Sequence, residues 1–348
     1  MKLTRRRLNR TLLHRQRLLE RGAGSPLALV TRLVGLQAQE SLPPYLSLAA
    51  RLDDFDPYDV SRALAERRLV RIGSLRSTIH LLEPADAVRL RPWTDPVRER
   101  ELKASQTVRP AVGLDRRTFL AALADVLADG PLPQPAIGAG LAERFPGVPP
   151  GALGQLARIL APLAQLPPRG CWKASAGVVY DYVDRWTGLP LAPPDVPALV
   201  RRYLAAYGPA TAADVTAWSG VTRLGPVLAG MEDLVRHTDE DGRALLDVPD
   251  GSFPDDDVPA PVRLLGTYDN VWLSHAARDR VTEPENRRAW MGANGGVGNV
   301  LLVDGWLEGI WRADGGRVRI VDLLRPLTPV EKAGLDEEIA RVEALLAR

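Results

Sequence analysis

Apolar residues recur at helical spacing three times along this chain, and each helical run gives way to a short alternating segment. In the first stretch, Leu8, Leu12, Leu13, Leu18 and Leu19 follow Thr4, which can cap a helix. A second helix starts at Ser25 and Pro26, presents Leu29, Val30, Leu33 and Leu36, and is expected to end near Gln39. Pro43 and Pro44 then turn the chain. Helices over Tyr45–Arg51 and Asp59–Glu66 precede LVRIGSLRSTIHLLEP at 69–84, which reads as two short strands about a Gly73–Ser74 turn. Three helices and a hairpin are the order of a winged helix. The pattern recurs in Thr118–Leu127, Ala152–Leu163 and Cys171–Tyr182, then in Pro197–Tyr207, 211–220, 221–238 and a strand at 244–249. A period of about 80–100 residues points to tandem domains, not a solenoid.

Past the acidic stretch 250–257 the character changes. VRLLGTYDNVWLSH, LLVDGWLEGIWRAD and VRIVDLLRPL alternate apolar and polar residues between Gly turns, before a final amphipathic helix at Pro329–Leu346. The expected fold is mainly α with small β: three tandem winged-helix units over 1–110, 111–193 and 194–258, and a C-terminal β-barrel with a terminal helix over 259–348.

No segment approaches the roughly 20 apolar residues that span a bilayer, so no membrane association is expected. The basic N-terminal run lacks an apolar core and a small-residue cleavage site, so it does not read as a secretory signal. Cys171 is the one cysteine and the four histidines are scattered, which gives no disulfide and argues against a metal site. A cytoplasmic protein held by packing alone is expected, with no metal, no cofactor and no obligate protein partner. Nothing in the pattern resembles a coiled coil, and a monomer is the default. Net charge is only +2, yet all but four of the 45 basic residues are Arg, the residue that binds phosphate bidentately. The basic run at 1–22 leaves room for a local basic surface.

Gln37 and Gln39 stand in LVGLQAQESLPPYL, an apolar setting for two neutral amides. At i and i+2 on a helix they would point about 200° apart, so they converge only if the helix ends there. Glutamine has no useful pKa and cannot be a general base. It can orient a water, bind a base edge or stabilise a developing dipole; equally, such amides satisfy backbone groups at a helix end. Arg76, Thr78 and His80 alternate, which on a strand puts all three on one face, either solvated or aimed at a phosphate or base. MGANGGVGNV at 291–300, with Asn294 and Asn299, is a Gly- and Asn-rich loop without a dinucleotide fingerprint. TYDNVWLSHAARDRV at 267–281 reads, on spacing alone, as a helix end with surface ion pairs.

Taken in order, VGLQAQ…PPYLSLAARL, LVRIGSLRSTIHLL, TYDNVWLSHAARDR and LLVDGWLEGIWR resemble the winged-helix DNA-binding family that includes the AlkZ and YcaQ DNA glycosylases, over essentially the whole chain. The Gln-x-Gln segment resembles the AlkZ branch; the YcaQ branch has an acid where this chain has Gln39. The resemblance implies three winged helices bent into a C-shape, with double-stranded DNA in the concave face. It implies a monofunctional DNA glycosylase acting on alkylated purines, chiefly N7-alkylguanine, near the nucleoid. Unhooking of interstrand crosslinks, as self-resistance to a DNA-alkylating natural product, goes with it. Gln37 and Gln39 would be catalytic, Gln39 holding a water and Gln37 the lesion or sugar, or the reverse. Arg76, Thr78, His80, Asn294 and Asn299 would face DNA. Two other readings stay open: a non-catalytic winged-helix regulator, and a resistance protein that binds the free toxin.

Overall fold

The computed structural model describes residues 1–290 and 298–348. Strand β1 (Lys2–Leu3) leads into α1 (Arg5–Arg15), whose first turn is closed by Thr4 Oγ1 accepting from Arg7 N. Helix α2 (Pro26–Arg32) has Ser25 as its cap and Pro in its first turn, as its sequence predicts. Then come β2 (Leu36–Gln37), α3 (Pro43–Ala49), α4 (Pro57–Ala65), β3 (Val70–Gly73) and β4 (Ile79–Leu82). Helices α5 (Pro84–Trp93) and α6 (Asp95–Ala104) connect to α7 (Arg116–Val126), β5 (Leu132–Pro133), α8 (Gln134–Arg144) and α9 (Pro150–Leu160). Next are β6 (Leu163–Gln165), β7 (Val179–Tyr182) and α10 (Val183–Thr187). The third stretch runs α11 (Val196–Tyr207), α12 (Ala212–Ser219), α13 (Gly225–Ala229), β8 (Val235–Asp239) and β9 (Ala244–Asp247). Last are β10 (Arg263–Leu265), α14 (Asn270–Leu273), α15 (Pro284–Trp290), β11 (Asn299–Val303), β12 (Trp306–Asp314), β13 (Arg317–Leu323) and α16 (Pro329–Ala347).

An order of helix, short strand, helix, helix and hairpin therefore occurs three times. In the first two stretches the short strand pairs with the second hairpin strand, β2 with β4 and β5 with β7. In the third, a bridge between Ala210 and Leu246 of β9 takes that place. The first two hairpins join edge to edge, Arg71 opposite Gln165 and Ile72 opposite Ala164, in one sheet ordered β2-β4-β3-β6-β7-β5. Strand β1 runs parallel to β8, so the N-terminus belongs to the third sheet, β1-β8-β9. One core runs from α1 through α16, and a separate one, built on Phe119, Leu123, Leu141 and Leu153, fills the α7–α9 stretch.

Several expectations are corrected. Among the described residues no barrel closes at the C-terminus: β10 to β13 form an open four-stranded antiparallel sheet, and α16 packs against both outer strands. Alternation between Gly turns specifies a half-buried sheet but not its closure; β10 and β13 do not pair with each other, and α16 covers the sheet instead. The second helix stops at Arg32, well short of Gln39, because Val34 (φ 52°) and Gly35 (φ 96°) turn the chain. A Cβ at Gly35 would collide with Leu82, so only glycine fits. TYDNVWLSH is not a strand; β10 ends at Leu265 and Asn270–Leu273 is helical. The stretch 221–238 holds only the short α13, started by Pro226, before β8 begins. In the second hairpin the strand begins only at Val179, after a long connection from Gln165.

Candidate nucleic-acid-processing site

Gln37 ends strand β2 and Gln39 lies in the bend that follows. Gln37 lies opposite His80 in the β2–β4 ladder, and Ala38 N continues it by donating to Ile79 O at 2.7 Å. No helix carries the pair: Gln37 stands opposite His80 and the Gln39 carboxamide reaches Ile79 N, so both side chains reach the 76–80 stretch at the start of β4. The Ala38 carbonyl between them accepts from Arg71 Nη2 at 2.8 Å, so a buried guanidinium pins the middle of the motif. Burial, followed by the nearby Arg169, pushes Arg71 down to about 10, and it keeps its charge at neutral pH.

Gln37 is 7% exposed and Gln39 is exposed. Gln37 Oε1 accepts from Arg76 Nη2 at 2.8 Å, and Gln39 Oε1 accepts from Ile79 N at 3.1 Å. Both donors can only donate, so both carboxamides turn oxygen toward the protein. Neither amide nitrogen meets a protein acceptor among the described residues, and neither is sealed from solvent.

Arg76 is not on a strand. Leu75–Ser77 form a 3-10 turn in which Arg76 (φ 53°) and Ser77 (φ 63°) are left-handed, and β4 starts only at Ile79. The expected single face of Arg76, Thr78 and His80 therefore does not form; the short polar turn between β3 and β4 overrides strand alternation. The turn instead folds Arg76 back over the sheet. Its Nη1 donates to Trp218 O at the C-terminal end of α12, where backbone carbonyls favour a cation. Its Nη2 also lies 3.3 Å from His80 Nε2. His80 Nδ1 stands 3.1 Å from Thr78 O, which can only accept, so Nδ1 carries the hydrogen and Nε2 offers its lone pair to Arg76. Burial and the Arg76 charge press His80 down to about 3, so the ring is neutral. Burial lowers Arg76 to about 10, which leaves it cationic.

Thr78 is half-buried and its hydroxyl donates to Leu75 O at 3.2 Å, closing the turn. Asn299, on β11 in the other sheet, accepts from Thr267 N and Oγ1, both at 2.8 Å, and so fixes the loop after β10. Asn294 lies outside the described residues. The structure thus gathers Gln37, Gln39, Arg76 and His80 on the β2–β4 pair and leaves Asn299 elsewhere.

TYDNVWLSHAARDRV holds a short helix end, Asn270–Leu273, and one partly exposed pair, Asp279 with Arg243 at 2.8 Å, but its N-terminal part is an internal strut. Asp269 and Arg51, both fully buried, form a double contact at 2.7 and 2.8 Å, joined by Ser47 Oγ at 2.6 Å. Burial would raise the Asp269 carboxyl, but Arg51 and Ser47 outweigh it and hold it below the usual carboxylate range. Asn270 Nδ2 donates to Gly35 O at 2.9 Å, which ties this strut to the residue two before Gln37. Sequence reading also missed Arg71 and Arg98. Arg98 is 2% exposed, lies against Gly73 where a Cβ would collide with it, and is lowered to about 9 by burial and then Arg91. No local spacing signals either residue, because each acts across the fold. The basic N-terminus is not a free surface. Arg7 meets Asp255 at 3.1 Å and Arg6 meets Asp304 at 2.8 Å, with Arg10 also on Asp304. Among the described residues, no group of three His, Cys, Asp or Glu side chains could hold a metal ion, and no helix is long and apolar enough to cross a membrane.

Comparison with known proteins agrees with this layout. A Streptomyces sahachiroi protein named interstrand DNA cross-link repair glycosylase is 26% identical over 323 residues, 86% of this chain and 85% of its own length. The solved structure of Streptomyces sahachiroi DNA glycosylase AlkZ superposes with a TM-score of 0.81 at 22% identity, covering 100% of this chain and 98% of that one. The family described as DNA glycosylase AlkZ-like matches residues 30–345. On that match over most of its length, the chain belongs to the AlkZ-like DNA glycosylase family.

Proposed function

We propose that this protein is a monofunctional DNA glycosylase that hydrolyses the N-glycosidic bond of alkylated purines, N7-alkylguanine first among them. The observation that carries the reading is a pair of carboxamides, Gln37 held by Arg76 and Gln39 by the Ile79 backbone N–H, with no acid or base hydrogen-bonded to either amide among the described residues. Alkylation at N7 places a positive charge on the purine, so the base is already a good leaving group and no strong general acid is required. What remains is to stabilise an oxocarbenium-like sugar and to hold a water against it. Gln39, the exposed amide, holds the water; Gln37, anchored more deeply, orients the lesion. The four lysines lie outside the Gln-x-Gln segment, and a Schiff-base lyase step forms no part of this reading.

The recurrent helix–strand–helix–helix–hairpin order supports three winged-helix units, over 1–110, 111–193 and 194–258, and a duplex lying along them. A bulky lesion, including an interstrand crosslink such as the Streptomyces relative is named for, calls for an open cleft in this reading, without full flipping into a tight base pocket. Self-resistance to a DNA-alkylating natural product, in a monomeric protein working on the nucleoid, follows from that substrate.

Incubation with duplex DNA containing N7-methylguanine, followed by chromatography of the free base, tests the reading. Wild type should release 7-methylguanine. Gln37→Ala and Gln39→Ala should each lose about 10²–10³-fold in rate, the scale of removing one oriented polar group at a reacting centre, while binding duplex as before. Duplex binding with no base released by wild type would make the protein a non-catalytic DNA binder.

A further inference from the structure

Three of the five N–H bonds of Arg76 can be assigned. Nη2 has two N–H bonds: one goes to Gln37 Oε1 at 2.8 Å and the other meets the His80 Nε2 lone pair at 3.3 Å. One Nη1 hydrogen goes to the Trp218 carbonyl. His80 is turned to accept because Thr78 O holds the hydrogen on Nδ1. Both Nη2 hydrogens are thus committed inside the protein, to Gln37 and His80. Arg76 thereby fixes which end of the Gln37 carboxamide faces out.

We infer that Arg76, steadied by His80, is a positioning residue that presents Gln37 Nε2 outward as a hydrogen-bond donor, to be met by an acceptor atom on the lesion base. This rests on the glycosylase reading above and deepens it. The acceptors available beside a glycosidic bond are purine N3 and, on pyrimidines, O2, and both lie in the minor groove. Purine N3 is the ring atom conjugated with the departing N9. When the C1′–N9 bond breaks, its electron pair returns to the cationic ring, and the base leaves neutral without needing a proton. A water oxygen bonds to C1′ and its proton passes to solvent. An N–H aimed at N3 is favoured as that electron density arrives, so the contact strengthens on the way to the transition state.

Gln37→Glu separates this from a role for the Gln37 carbonyl. The glutamate keeps an oxygen against Arg76 and replaces the outward N–H with a second oxygen. Gln37→Met keeps the shape without either group. The expected result on 7-methylguanine duplex is that both lose about 100-fold or more in kcat with duplex affinity within about threefold of wild type. Gln37→Glu at or above the wild-type rate would overturn the inference while leaving the glycosylase reading in place. Wild type that frees no base would overturn the reading itself. The network is tested independently of turnover by 15N NMR of His80 at pH 7. A neutral ring with hydrogen on Nδ1 and a bare Nε2 is expected; hydrogen on Nε2 would face an Arg76 N–H and overturn the assignment. Arg76→Lys, which keeps charge but not the fork, should lower kcat about tenfold or more with KM little changed; an unchanged kcat would also overturn it.

Discussion

His80 and His275 are buried and neutral, one beside Arg76 and the other between Ser274 Oγ and the Tyr207 carbonyl. His80 is pushed down to about 3, and burial, with Arg280, pushes His275 down as well. An unfolded chain would protonate both rings near the ordinary histidine value of about 6.5. Between that value and the depressed one, unfolding takes up protons, so this part of the stability is present above pH 6.5 and is lost as pH falls toward 3. Thermal melts from pH 7.5 to 4.5 should show a falling Tm, and His80→Gln should flatten that slope. A slope identical to wild type would mean that His80 is not held neutral by the fold. Asp269 makes a second residue-scale prediction. Asp269→Asn leaves the fully buried Arg51 without its charge partner, and should destabilise by about 3–5 kcal/mol in urea unfolding.

Strand β2 is only two residues long, yet it decides where the motif lies, since it pairs Gln37 with His80 and leads Ala38 N to Ile79 O. Gly35 makes that strand possible. Gly35→Ala would force a left-handed φ on a residue with a Cβ and drive that Cβ into Leu82. A loss of about 1–3 kcal/mol and of base release is expected, read from the urea midpoint and the released-base assay. The same element shows what the sequence could reveal. Ser25–Pro26 marked the start of α2, and the hairpin at 69–84 stands where alternation put it. The end of α2 was misread because Leu33 and Leu36 extend the helical period past Val34 and Gly35, and periodicity carries no sign of a left-handed turn. Arg76 was placed on a strand for the same reason: alternation continues through a turn that only the backbone angles reveal. Gln37 and Gln39 were legible as unusual residues, while Arg71, Trp218 and Arg98 were not, because their roles arise from contacts made across sheets and helices.

Across the whole molecule, charge is paired more than its distribution along the chain suggests. The N-terminal arginines are matched by Asp255, Asp256 and Asp304, and β1 and α1 dock on the third stretch instead of reaching outward. DNA must then be met by other cations. Duplex affinity should still fall linearly with the logarithm of salt concentration, with the same slope in wild type and Gln37→Ala, because an outward amide neutralises no phosphate. Fluorescence anisotropy between 50 and 200 mM salt reads that slope, values chosen because roughly 10³–10⁵ in affinity is lost over that range when six to ten phosphates are contacted. The central claim, that two uncharged amides, one held by Arg76 and the other by the Ile79 N–H, suffice to cleave the sugar–base link of a cationic purine, is tested most directly by product analysis. Duplex with one N7-methylguanine, treated with wild-type protein, should yield one free base per abasic site, with the strand intact until alkali is added. No free base, or a borohydride-trapped protein–DNA adduct accompanying strand scission, would contradict it.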